Sequence, residues 1–104
     1  MDTPRIFTID LTGCRYWDDM HNRIAKALDF PDYYGKNWDA FWDLIRGERD
    51  NAVIEIKGVS TMPQELQAEI PKMVACLEDN IEDMKWLKKQ RPDFDCRFSY
   101  RFVD

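Results

Sequence analysis

Three short segments that are rich in β-branched and bulky apolar residues are separated by much longer segments with helical periodicity. These strand-like segments are RIFTIDL (5–11), AVIEIK (52–57) and DCRFSYRFV (95–103). Parallel neighbours need a crossover connection, usually a helix, whereas antiparallel neighbours can be joined by a tight turn. The alternation therefore predicts a parallel sheet whose successive strands are connected by helices.

The connecting segments have the apolar spacing and the end signals of helices. Residues 17–30 carry one apolar stripe, and a proline follows them. A second helix is predicted from Asn37, a good N-cap, to Gly47, and residues 63–89 are helical with Pro71 as a break or a helix start. The order β-α-α-β-α-α-β predicts a two-layer α/β domain with a three-stranded parallel sheet and helices packed mainly on one face. The first helical stripe consists of Trp17, Met20, Ile24, Ala27 and Leu28.

Length, charge and cysteine content limit the functional classes. The 104 residues are enough for one domain spanning 1–104. The formal net charge of -5 argues against a nucleic-acid partner, because phosphate binding needs a cationic surface, although lysine and arginine outnumber acids in residues 84–104. We find no membrane span or signal-peptide pattern, and the three cysteines form no C-x-x-C pair. We therefore expect a cytoplasmic protein with no membrane partner.

The segment DYYGKNWDAFWDLIRGE (32–48) combines aromatic and charged residues in the second predicted helix and the loop before it. The helix face that packs on the sheet is expected to carry Trp38, Phe41 and Ile45. Asp39 and Asp43 lie one turn apart on another face, where like charges destabilise the helix by about 0.2–0.5 kcal/mol. An ordinary solvated face explains this pair, and so does a surface that binds a cationic partner.

Taken from residue 30 to residue 47, the segment FPDYYGKNWDAFWDLIRG closely resembles the central segment of the barstar family, the intracellular inhibitors of secreted bacterial ribonucleases of the barnase type. In that family a proline, an acid, two tyrosines and a glycine lead through an asparagine into a helix written D-A-(L/F)-W-D. VIEIK also resembles the second strand of the family, and the element order agrees. The matching positions are Pro31, Asp32, Tyr33, Tyr34, Gly35, Asn37, Asp39, Ala40, Phe41, Trp42, Asp43 and Gly47.

The resemblance implies a protein inhibitor, the immunity protein of a toxin–antitoxin pair, that blocks the active site of a cognate ribonuclease. Barstar-like inhibitors present this loop and helix to a cationic cleft, where their carboxylates occupy the positions of substrate phosphates. By position, Asp43 matches the central contact, Asp39 matches the aspartate that supports it, and Tyr33 matches a tyrosine that packs near the catalytic histidine of the enzyme. The nuclease-binding residues expected from the resemblance are Tyr33, Tyr34, Asn37, Asp39, Trp42, Asp43, Arg46, Gly47 and Glu48.

Three positions depart from the pattern of the family. Arg46 stands where the type inhibitor has threonine, Glu48 where it has tryptophan, and Lys36 where it has an acid. The two cations on the rim predict a ribonuclease other than barnase, with different charge around its cleft. An acid that barstar offers from its last helix has no clear match here, and the candidates are Glu78, Asp79, Glu82 and Asp83. The alternative function is a non-inhibitory interaction module of the same fold that binds another basic protein.

The sequence gives little support for catalysis. His21, the one histidine, lies on the first predicted helix without a motif around it, and we expect it at the surface or half-buried. The cysteines lack a base partner and metal-ligand spacing. An enzyme would need Asp39 and Asp43 as an acid–base pair or metal site, yet both are predicted on an open helix face rather than in a pocket. We therefore expect no enzyme activity, no metal and no cofactor.

Overall fold

The strands and helices follow the order expected from the sequence. The computed structural model describes residues 5–45, 51–93 and 97–103. A 3-10 turn, Val59–Thr61, follows the second strand. The strands and helices are β1 (Arg5–Asp10), α1 (Trp17–Leu28), α2 (Trp38–Ile45), β2 (Asn51–Lys57), α3 (Gln64–Gln67), α4 (Ile70–Gln90) and β3 (Arg97–Val103). The predicted β-α-α-β-α-α-β order is confirmed, with α3 as a single turn.

The three strands form one parallel sheet, as predicted, and their order in the sheet is β1-β2-β3. The register aligns Ile9 of β1 with Ile56 of β2 and with Phe102 of β3. Each strand alternates its side chains between two faces, so one row of this register lies on one face and the next row on the other. The first two residues of the predicted third strand, 95 and 96, lie outside the described residues.

The helices cover one face of the sheet. On β2, Ala52, Ile54 and Ile56 are buried, whereas the alternate positions are only half-buried. The other face carries a polar row in which Glu55 accepts hydrogen bonds from Thr8 Oγ1 at 3.3 Å and from Arg101 Nε at 3.0 Å. The arginine holds the pKa of the Glu55 carboxyl below its usual value. This two-layer arrangement confirms the predicted fold class.

Turn chemistry sets the ends of several elements. The α1 helix ends at Leu28 because Asp29 adopts a left-handed conformation with φ 56°, and Pro31 follows two residues later. Of the two predicted alternatives for Pro71, the helix start is the one found: Pro71 lies in the first turn of α4, where its missing N–H costs no hydrogen bond. At the end of β2, Gly58 has φ 82°, and a Cβ atom there would lie 2.3 Å from the backbone nitrogen of Thr12. Only glycine fits at this close approach.

The longest described helix, α4, has charged residues throughout its second half. Within residues 5–45, 51–93 and 97–103, no helix is both long enough and apolar enough to cross a bilayer.

Candidate functional site

The α2 helix starts from an asparagine cap, as the sequence predicted. Asn37 Oδ1 accepts a hydrogen bond from the Ala40 backbone N–H at 2.7 Å, and the Asn37 carbonyl accepts one from the Phe41 N–H at 3.0 Å. The side-chain amide of Asn37 also donates to the Gly35 carbonyl at 3.2 Å. One side chain thus satisfies an N–H group of the first turn and ties the helix to the loop before it.

Two faces of α2 have opposite character. Phe41 and Ile45 are fully buried, and Trp38 is half-buried against the same core. Asp39 and Asp43 are exposed. Residues four apart on a helix are neighbours, with Cβ atoms about 5–6 Å apart. Asp39 and Asp43 therefore form one acidic ridge along the exposed side of α2. The packing on one side fixes the direction of the carboxylates on the other.

Trp42 lies between these two faces and is half-buried. The resemblance to the barstar family predicts Trp42 as a nuclease-binding residue, and part of its side chain is accessible to a partner.

The two adjacent tyrosines of the loop point in different directions. Tyr33 is 80% exposed, whereas Tyr34 is only 8% exposed. The Tyr34 ring packs against Phe30 with ring centroids 4.9 Å apart, and its hydroxyl is joined to His21 Nδ1 by a hydrogen bond of 2.7 Å. Burial raises the pKa of the Tyr34 phenol, so it stays protonated. Tyr33 can contact a partner directly, whereas Tyr34 anchors the loop to the core through His21 and Phe30.

His21 is fully buried, so the expectation of a surface or half-buried histidine is wrong. Two tryptophans cover its ring: the centroid of Trp17 lies 4.4 Å away and that of Trp38 lies 4.6 Å away. This burial lowers the pKa of His21 to about 4, although the nearby Glu69 carboxylate acts in the opposite direction. The imidazole is therefore neutral near pH 7. His21 lies on the same side of α1 as the buried Met20, Ile24 and Leu28, and this spacing is the sequence signal that could have predicted its burial.

Two tryptophan N–H groups connect the loop and α2 to the rest of the fold. Trp17 Nε1 donates to the Lys36 carbonyl at 3.0 Å, which links α1 to the loop. Trp38 Nε1 donates to Glu69 Oε1 at 2.9 Å, which links α2 to the segment that begins α4. The Trp38 bond lowers the pKa of the Glu69 carboxyl. The sequence predicted Trp17 only as part of the apolar stripe of α1. Neither of these hydrogen bonds was predicted, because the partners are 19 and 31 residues apart.

The α4 helix adds acidic residues to the surroundings of α2. Burial raises the pKa of the half-buried Cys76 thiol, and the carboxylates of Asp79 and Asp39 raise it further. Both carboxylates therefore lie within electrostatic range of one sulfur atom, whose Sγ also contacts the Trp38 carbonyl at 3.6 Å. Asp79, one of the four candidate acids of α4, thus shares an electrostatic neighbour with Asp39 of the α2 ridge.

Other acids of α4 have partners elsewhere. Glu78 accepts a hydrogen bond from the Tyr100 hydroxyl of β3 at 2.5 Å, which raises the pKa of that phenol. Glu82 pairs with Lys85 on its own helix at 3.2 Å.

Three of the nine predicted contacts, Arg46, Gly47 and Glu48, lie outside the described residues. Tyr33, Asp39 and Asp43 are exposed, Trp42 is partly so, and Asn37 and Tyr34 make the hydrogen bonds that shape the loop. Throughout the described ranges, no three histidine, cysteine or acidic side chains are arranged to hold a metal ion. The site is thus an exposed acidic and aromatic surface with a buried histidine beneath the loop.

A family model described as Barstar (barnase inhibitor) matches residues 5–99. The chain is also similar to a protein of Bacillus subtilis (strain 168) named "Putative ribonuclease inhibitor YrdF", with 54% identity over 28 residues. That match covers 27% of this chain and 31% of the relative, so the chain spans under a third of the relative's length.

Proposed function

This chain belongs to the barstar family, and we propose that it inhibits a cognate bacterial ribonuclease by covering the active-site cleft of the enzyme with residues 32–48. One observation carries the proposal. The exposed Tyr33, Asp39 and Asp43 stand on a loop and helix whose other side is locked to a buried core. Membership of a family of ribonuclease inhibitors supports a ribonuclease as the partner, and the exposed carboxylates and tyrosine support a contact with cationic groups.

The chemistry of a ribonuclease cleft suits such a surface. An enzyme that cleaves RNA must hold phosphate and stabilise a charged transition state, so cationic side chains line its cleft. Carboxylates form strong charge-assisted hydrogen bonds with arginine, lysine and protonated histidine. We propose that Asp43 takes the central position among these cations, with Asp39 supporting it from one turn earlier on α2.

Aromatic side chains extend the proposed contact beyond the carboxylates. Tyr33, in the loop before α2, is 80% exposed, and Trp42, the residue before Asp43, is partly exposed. Tyrosine and tryptophan contribute large contact areas at a small entropic cost, and they are frequent among the residues that dominate binding energy. We assign Tyr33 to the region around the catalytic groups of the enzyme and Trp42 to the flank of the cleft.

Long-range charge supports the same partner. The formal net charge of -5 attracts a cationic protein, and Asp79 of α4 adds to the negative potential around Asp39. Complementary charge accelerates encounter, as it does in the barnase–barstar pair itself. Fast capture matters for a protein that must stop a ribonuclease before the enzyme cuts cellular RNA.

The rim of the proposed contact differs from that of the best-known inhibitor of the family. Arg46, Gly47 and Glu48 complete the proposed contact set, and Lys36 adds a second cation beside it. A ribonuclease that fits this rim differs from barnase in the charge around its cleft. We therefore propose a cognate enzyme distinct from barnase, held by an immunity protein that acts in the cytoplasm without a cofactor or a catalytic activity of its own.

An inhibition assay against a panel of bacterial ribonucleases tests this function. We expect one-to-one loss of RNA cleavage with nanomolar or tighter affinity, and we expect a non-cleavable RNA analogue to compete with the inhibitor for the enzyme. Binding without loss of cleavage would instead support the alternative of a non-inhibitory module. RNA cleavage by the pure protein itself, abolished by Asp43→Ala, would overturn the inhibitor proposal.

A further inference from the structure

We infer that Trp17, on α1, is a positioning residue that holds loop 33–37 in the shape required for ribonuclease binding. This inference rests on the proposed function, since the loop carries Tyr33 and leads into α2. Trp17 lies outside the segment 32–48 and acts on the binding surface through the loop backbone.

The indole N–H of Trp17 holds the loop at its most strained residue. Among the described residues other than glycine, only Asp29 and Lys36 have positive φ, and Lys36 has φ 53°. Residues other than glycine, asparagine and aspartate rarely adopt this backbone conformation, so surrounding contacts must maintain it in Lys36. Trp17 Nε1 donates to the carbonyl of Lys36 at 3.0 Å and thereby supplies such a contact from a separate helix.

The ring of Trp17 also orients the start of α2. It packs on His21 with centroids 4.4 Å apart, and it meets Trp38, the first residue of α2, edge-on at 6.1 Å. One side chain therefore contacts both the loop and the first turn of the helix that carries Asp39. This geometry couples the direction of Tyr33 to the direction of the acidic ridge.

The neighbouring restraints act on either side of Lys36. Tyr34 is bonded to His21 at 2.7 Å, and the Asn37 side chain is bonded to the Gly35 carbonyl and to the first turn of α2. Trp17 holds the carbonyl between these two points. A loop that is already ordered loses less conformational entropy when a partner binds, so this bond favours association.

Trp17→Phe tests the inference, because it removes the N–H donor and keeps an aromatic ring against His21. Lys36 makes the test direct, since trypsin cuts after lysine and the Lys36–Asn37 bond lies within the loop. Loss of one hydrogen bond of about 1 kcal/mol predicts cleavage at this bond about five-fold faster than in the parent protein. The cleaved bonds are identified by mass spectrometry, and the melting temperature is measured in parallel.

Trp86→Phe is the matched control, because Trp86 is 60% exposed on the second half of α4. We expect this control to leave the cleavage rate after Lys36 unchanged. If Trp17→Phe also leaves that rate unchanged, or if cleavage rises equally at every site with a falling melting temperature, Trp17 does not position the loop.

Affinity for the cognate ribonuclease supplies the second readout. The dissociation constant should rise for Trp17→Phe by up to the same five-fold factor and stay unchanged for Trp86→Phe. Faster cleavage after Lys36 with unaltered affinity would overturn the role in binding. If the parent protein inhibits no ribonuclease, the proposed function fails, and the proteolysis still decides whether Trp17 holds the loop.

Discussion

Acidification is expected to destabilise this fold through His21. Burial lowers the pKa of His21 from 6.5 to about 4. Between these two pH values the unfolded chain binds a proton that the folded protein excludes. The contribution of His21 to stability is therefore complete above about pH 6.5, and it is lost progressively as the pH falls toward 4.

The size of the effect follows from the shift in pKa. One pKa unit corresponds to about 1.36 kcal/mol, so a shift from 6.5 to about 4 corresponds to about 3 kcal/mol at most. That is a large fraction of the about 5–15 kcal/mol that separates folded from unfolded states in ordinary domains. The same proton would disturb the hydrogen bond to Tyr34, so the binding loop should lose order along with the fold.

Urea denaturation of the parent protein and of His21→Gln, each near pH 7 and near pH 4.5, measures the contribution. Acidic side chains such as Glu55 and Glu69, whose pKa values are lowered in the fold, destabilise both proteins on acidification. The parent should nevertheless lose about 2–3 kcal/mol more than His21→Gln over this interval. Equal losses in the two proteins would refute the account of a buried neutral histidine.

Three further substitutions test the contacts that shape the loop, the start of α2 and the end of β2. Tyr34→Phe leaves His21 Nδ1 without its buried partner and should cost about 1–3 kcal/mol of unfolding free energy in urea titrations, whereas an unchanged stability would contradict the 2.7 Å bond. Asn37→Ala removes the cap of α2 and should cost about 1 kcal/mol, with helical circular dichroism reduced. Gly58→Ala drives a Cβ atom against the Thr12 backbone and should lower stability by about 2 kcal/mol or more by calorimetry, and a neutral result would contradict the close approach.

Local patterns in the sequence were sufficient to predict the architecture. The strands, the apolar stripe of α1 and the two faces of α2 each follow from spacing within a few residues. The cap at Asn37 was also predictable, because capping depends on a side chain and the N–H groups of the next turn. These local signals agree with the parallel order of the sheet.

The hydrogen bonds that join the site to the core were not predictable in the same way. Trp17 meets Lys36, and Trp38 meets Glu69, only after the helices pack together. The directions of Tyr33 and Tyr34 likewise depend on the position of His21, since loop residues have no periodicity that distinguishes exposed from buried neighbours. Tertiary packing thus decides which residues of the segment face a partner and which support them.

The central claim is that the acidic ridge of α2 is the part of the surface that binds a ribonuclease. Titration calorimetry of the cognate enzyme with the parent protein, Asp39→Ala and Asp43→Ala tests it most directly. Asp93→Ala removes the same charge beyond the end of α4 and serves as the control. We predict that Asp43→Ala costs about 2 kcal/mol or more, a rise in Kd of about 30-fold, with a smaller rise for Asp39→Ala and almost none for Asp93→Ala. Unchanged Kd values for both ridge variants, with binding intact, would contradict the account.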